Sequence, residues 1–144
     1  AENYSEIASN FVTYTPPNTV PNTPTNVSPA NGSTSVLLTP TLQATAFSDS
    51  DCVGDTHAAS QWQLLNSTGV TIVWDSGTNT TDKTTVTVPT GKLAYASNYV
   101  WKVRYRDSRS AWSAYSTQTA FTTAGPALSI SRSNGLSRSM SGPS

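Results

Sequence analysis

Residues 98–106 alternate more cleanly than any other part of the chain. Tyr99, Trp101, Val103 and Tyr105 fall on one side, and Val100, Lys102, Arg104 and Arg106 on the other. Successive side chains of an extended chain point to opposite faces, so this run predicts a strand with a buried aromatic face and a basic outer face. Such a strand must bury its apolar side against another layer. The rest of the chain offers short runs of the same kind between turn signals: residues 36–38, 41–47, 59–65, 70–74, 84–88 and 115–123. Thr39-Pro40 separates the first two, and Asn66-Ser67-Thr68-Gly69 turns the chain between the third and fourth. Trp62 and Leu64 share a face, as do Val70, Ile72 and Trp74, while Val86 and Val88 point inward. The expected architecture is all-β, a two-sheet sandwich of about seven strands with extended arms at both ends.

Composition agrees with one β-rich core. The chain has 144 residues, of which 35% are hydrophobic and only 11% charged, and 22 Ser and 23 Thr supply most of the polarity. A lone cysteine, Cys52, excludes an internal disulfide, and no Cys/His cluster offers a zinc site. Pro16, Pro17, Pro21 and Pro24 mark residues 1–24 as an arm, residues 25–124 hold the sandwich, and residues 125–144 form a Ser-rich second arm. The Leu128-Ser-Ile-Ser alternation suits an edge strand added to another sheet, whereas its composition suits disorder.

The run Leu93-Ala-Tyr-Ala-Ser-Asn-Tyr99-Val-Trp101-Lys-Val103-Arg-Tyr105 resembles the E–F corner and F strand of a fibronectin type III domain, an immunoglobulin-like sandwich. In that arrangement Tyr99 buries its ring while its hydroxyl bonds backbone near Leu93. The resemblance covers residues 21–124 and extends to domains of this kind in bacterial surface and secreted proteins and in phage structural proteins. It departs from the family on the second strand, where Leu42 stands in place of the usual Trp, and in the long loop of residues 48–58.

Three constellations carry potential chemistry. Asp49-x-Asp51-x-x-x-Asp55 on the long loop brings carboxylates together as a calcium ion needs them, with Ca²⁺ the one cofactor considered. The alternatives are pairing with Arg106 or Arg109, expected at the same end of a sandwich, and plain solvation. Trp112-Ser-Ala-Tyr115-Ser116 is similar to the Trp-Ser-x-Trp-Ser element of cytokine-receptor fibronectin domains, which implies a cation–π ladder with Lys102, Arg104 and Arg106. The same Trp112, Tyr115, Arg104 and Arg106 could instead bind a sugar or a partner. His57 is the sole histidine, with Asp55 and Ser60 nearby, but loop neighbours rarely reach triad geometry and no Gly-x-Ser-x-Gly element exists. No enzyme is expected. Cys52 reads as a free thiol, and Asn3, Asn26, Asn31, Asn66 and Asn79 head glycosylation sequons placed in loops.

Eight acids balance eight bases, which excludes a generally basic nucleic-acid binder, and no apolar run approaches the ~18 residues of a membrane span. No secretory leader is read at Ala1. Seven acids precede Lys83 and every base lies from Lys83 onward, so arm and tail carry opposite charge. The expectation is a non-catalytic structural or interaction module, extracellular, on a cell surface or in a virion. It would dock through residues 1–24 and 125–144 onto copies of itself or other structural proteins. The alternative is an accessory carbohydrate-binding or adhesion module of a secreted bacterial protein, with a glycan as ligand.

Overall fold

The alternating run forms the longest strands of the protein together with its neighbour. A computed structural model describes residues 14–51 and 54–128. Cys52, Asn3 and most of the Ser-rich tail lie outside the described residues. Among the described residues there is no helix and eight strands form: β1 (Asn26–Ser28), β2 (Ser33–Val36), β3 (Thr41–Ala44), β4 (His57–Asn66), β5 (Ile72–Asp75), β6 (Thr85–Thr87), β7 (Asn98–Asp107) and β8 (Thr119–Thr123). One sheet has the order β1-β3-β6, the other β2-β8-β7-β4-β5. Each pairing is antiparallel except β2 with β8. This is an immunoglobulin-like sandwich of the fibronectin type III kind.

The core lies between the sheets. Trp101, Val103 and Tyr105 of β7 and Trp62 and Leu64 of β4 are fully buried, facing Leu42 of β3 and Val86 and Val88. Trp62 and Trp101 stack with centroids 6.0 Å apart. Each indole N–H donates to a backbone carbonyl, Trp62 to Asp82 and Trp101 to Pro29, so these large rings bury without losing a hydrogen bond. Leu42 occupies the position where the resemblance leads one to look for Trp. The Ala94 N–H donates to Tyr99 Oη at 2.9 Å, which ties the turn before β7 to its first aromatic residue.

Four boundaries differ from the sequence pattern. The strand expected at 36–38 forms earlier and in two pieces, β1 pairing with β3 and β2 with β8, and the ladder stops at Val36 because the next residues cross toward β3. Leu37 is consequently exposed. The second strand ends at Ala44 because its partner β6 is only three residues long. Val70 is 77% and Ile72 49% exposed while Trp74 packs against the core, so the three do not share a face. Asn66 Oδ1 accepts from the Val70 and Thr71 N–H groups, which keeps Val70 in the turn, and a bulge opposite Leu64 and Leu65 turns both Val73 and Trp74 toward the core. Finally, residues 115–118 lie outside β8, because the Ser113 and Ser116 hydroxyls occupy β7 in place of a regular ladder. Asn26 lies on β1 rather than in a loop, its amide bonded to Trp101 O and Thr119 Oγ1.

The two ends of the described chain leave at opposite poles. Asn18 reaches Asp107, the last residue of β7, while Thr123 N and Ala96 N bond near its first, to Ser97 O and Ala124 O. A strand of this length spans about 30 Å.

Candidate functional site

Four carboxylates gather at the pole where β7 ends. Asp107 continues the inward phase of Tyr99, Trp101, Val103 and Tyr105, and it is completely buried. Its Oδ1 accepts from the Arg109 and Ala111 N–H groups at 2.9 and 2.8 Å, and its Oδ2 from Asn18 Nδ2 at 2.9 Å. The arm lies against the loop before β4: Thr19 N donates to Asp51 Oδ2 at 2.8 Å, and Thr19 Oγ1 sits 3.2 Å from that atom and 3.3 Å from Asp49 Oδ1. Asp55, with a side chain only 3% exposed, accepts from Ser108 Oγ and meets Arg109 Nε at 3.2 Å through Oδ1. Arg109 also reaches Pro16 O.

A carboxylate oxygen from each of Asp49, Asp55 and Asp107 lies within 4.8 Å of the other two. Asp49 Oδ2, Asp51 Oδ1 and Asp55 Oδ2 are buried with no hydrogen-bond partner. The Thr19 N–H holds the Asp51 carboxyl below the usual range, whereas burial, with Asp51 beside it, pushes Asp55 up despite Arg109. Asp49, Asp51 and Asp55 thus share one region, and of the two arginines considered for it only Arg109 makes an ion pair there.

Arg106 belongs instead to the outer face of β7. Lys102 Nζ lies 4.4 Å from the centroid of the Tyr115 ring, and Arg104 Cζ lies 4.8 Å from Tyr115 and 4.5 Å from Trp112. Arg106 Cζ is 5.6 Å from Trp112. Cations and rings therefore interleave. The serines of the same element fasten it: Ser113 Oγ accepts from Tyr105 N and Ser116 Oγ from Val103 N, while their own N–H groups donate to the carbonyls of those residues. Arg104 also donates to Gln61 Oε1 at 2.7 Å, and Gln61 passes the contact on to Asp75. Partial burial works against charge on Asp75, but the amides of Gln61 and Gln63, the Gly77 N–H and Arg104 outweigh it and hold the carboxyl below its usual value. Trp112 and Tyr115 are half-buried with cations on their faces, and Trp74 packs against the core, so these three rings present no open coplanar platform.

His57 lies between Phe47 and Tyr105, stacked on the first at 5.0 Å and tilted against the second at 4.1 Å between centroids. Its Nε2 lies 2.8 Å from Ser60 Oγ, and the single Ser60 hydroxyl proton points to Lys83 O. The imidazole must then donate to Ser60 rather than take a proton from it. Burial, helped by Lys83, pulls His57 down to about 4, so the ring is neutral at pH 7. This pair does not activate a nucleophile.

Sequence reasoning passed over Asp107, Asn18 and Thr19. Asp107 carried a readable signal: it is a charged residue in the inward phase of the clearest strand, and the one acid in the basic half. Nothing local marks Asn18 or Thr19, whose partners are 89 and about 30 residues away.

A family model described as "Rha78A-like, N-terminal immunoglobulin domain" matches residues 50–126, more than half of the chain. Among solved structures, an α-L-rhamnosidase from Dictyoglumus thermophilum superposes with a TM-score of 0.58 at 20% identity over 74% of this chain. The Streptomyces avermitilis α-L-rhamnosidase complexed with L-rhamnose gives 0.55 at 21% identity over 73%. The chain spans only 12% and 10% of those two proteins, and the likeness is one of fold. No curated protein sequence matches.

Proposed function

Because the chain belongs to the family of Rha78A-like N-terminal immunoglobulin domains, we propose that it is a non-catalytic structural module. It holds its two terminal segments at opposite poles of a rigid sandwich, within a larger extracellular assembly such as a virion or a cell-surface structure. The observation that carries this reading is the path of the two ends. Residues 16–22 are bonded along one pole, through Pro16, Asn18, Thr19 and Asn22, and Ala124 is bonded at the other. A strap of that kind fixes the direction of the chain as it meets the domain. Since this part of the arm is taken up by its own sandwich, docking onto further copies falls to residues 1–13 and 125–144, whose opposite charges attract.

Sedimentation of the 144-residue chain and of residues 14–128 tests the docking. The full chain should associate in dilute buffer and dissociate as salt shortens the screening length below about 8 Å, while the shorter chain stays monomeric with the same thermal midpoint. Identical monomeric sedimentation of both at every salt concentration would overturn it.

A second reading comes from the family itself: an accessory module of a secreted carbohydrate-active protein. With Trp112 and Tyr115 committed to the cation ladder, a sugar would need another surface. Titration with L-rhamnose, monitored by amide chemical shifts, separates the two readings, since the structural reading expects no saturable shift.

A further inference from the structure

The polar end of the sandwich holds an excess of negative charge that its protein partners do not neutralise. Asp49, Asp55 and Asp107 come together from the loop before β4 and the end of β7, Asp51 lies beside Asp55, and Arg109 provides the one ion pair among the described residues. Each carboxylate has at least one oxygen fixed by N–H or O–H donors: Thr19 for Asp49 and Asp51, Ser108 and Arg109 for Asp55, and Arg109 N, Ala111 N and Asn18 for Asp107. The other oxygens of Asp49, Asp51 and Asp55 are buried and have no donor at all. Leaving a buried acceptor without a partner is costly, and such atoms on Asp49 and Asp55, two members of one carboxylate cluster, call for a cation there. Asp55 is decisive, because its side chain is 3% exposed and its Oδ2 is buried without a partner.

We propose that Asp49, Asp55 and Asp107 form a calcium site, with Asp51 beside them. The donor set is oxygen only. Oxygens bound to one Ca²⁺ at 2.3–2.6 Å lie at most about 5 Å apart, which accommodates the 4.8 Å limit on Asp49, Asp55 and Asp107. The site is irregular and assembled from separate segments, which suits the variable geometry of calcium better than the strict octahedron of magnesium. Thr19 and Asn18 already bond to the ligands, so the ion would fasten the arm to the sandwich as well as the two loops to each other. The assignment rests on the cluster and not on the docking reading.

Equilibrium dialysis against ⁴⁵Ca²⁺ and thermal unfolding of the full chain test it. With a dissociation constant typical of extracellular modules, about one ion per chain binds and 10 mM CaCl₂ raises the midpoint by about 5 °C, reversed by chelator. Asp49→Asn, at a partly exposed position that leaves the buried Asp107 intact, should abolish both effects while remaining folded. An unchanged midpoint with no bound ion overturns the proposal. So does a calcium response that survives in Asp49→Asn, and an equal response to Mg²⁺ overturns the choice of metal.

Discussion

Asn18 Nδ2 donates to Asp107 Oδ2 at 2.9 Å across 89 residues of chain, joining the arm to the one acid among the described residues that lies wholly inside the sandwich. Asn18→Ala should cost about 2 kcal/mol, the usual worth of a hydrogen bond to a charged group. The loss should be local first. Hydrogen exchange at residues 19–22 should accelerate well before that of β4 and β7. Unchanged exchange there would mean the arm is held by its other contacts.

Arg104 lies between Trp112 and Tyr115 and is bonded to Gln61. Arg104→Ala should therefore lower stability by about 1–2 kcal/mol in urea unfolding. Arg104→Lys should recover only part of that, because a point charge cannot stack between two rings and bond Gln61 together. Full stability in Arg104→Ala would remove the structural role of the ladder and return Trp112 and Tyr115 to ligand binding.

Asp75 supplies a pH dependence. Its folded carboxyl titrates below the ordinary value of 3.8, so it contributes stability that is present above that pH and disappears as pH falls through the folded value. Asp75→Asn lacks this contribution at every pH. Urea midpoints of the two proteins should differ at pH 6 and converge toward pH 2, and a constant difference would contradict the pairing with Gln61 and Gln63.

Tyr99→Phe removes the acceptor of the Ala94 N–H and leaves the ring in place. The expected loss is about 1–2 kcal/mol in chemical unfolding. A neutral substitution would show that the turn at residues 93–97 is held by Thr123, whose side chain accepts from Ser97 N and donates to Ala94 O.

What could be read from the sequence was what local periodicity encodes. Tyr99, Trp101, Val103 and Tyr105 announced a buried strand face, and Lys102, Arg104 and Arg106 its outer face, because alternation alone decides both. Val70 misled because its exposure is set by the Asn66 side chain capping the turn, a contact that a hydrophobic pattern does not register. That strands form at 26–28 and 33–36, ahead of the expected run at 36–38, depends on which sheet edge is free, Val36 at β8 or Asn26 at β3, and that is a property of the assembled sandwich. The acidic site was half legible. Asp49, Asp51 and Asp55 are neighbours in sequence, whereas Asp107 joins them only through the folding of β7 against β4.

The central claim, that the chain enters and leaves at opposite poles of a rigid body, is tested most directly by a distance between spin labels. Val20 is exposed on the strapped arm, and a Cβ at Gly125 meets nothing within 4 Å, so cysteines at Val20→Cys and Gly125→Cys, with Cys52→Ser, accept labels without disturbing the core. Pulsed electron paramagnetic resonance should give one narrow peak at roughly 35 Å, the length of β7 plus the label arms. A broad distribution, or a peak near roughly 20 Å or below, would show that the arm is not held at the pole opposite the exit and would contradict the account.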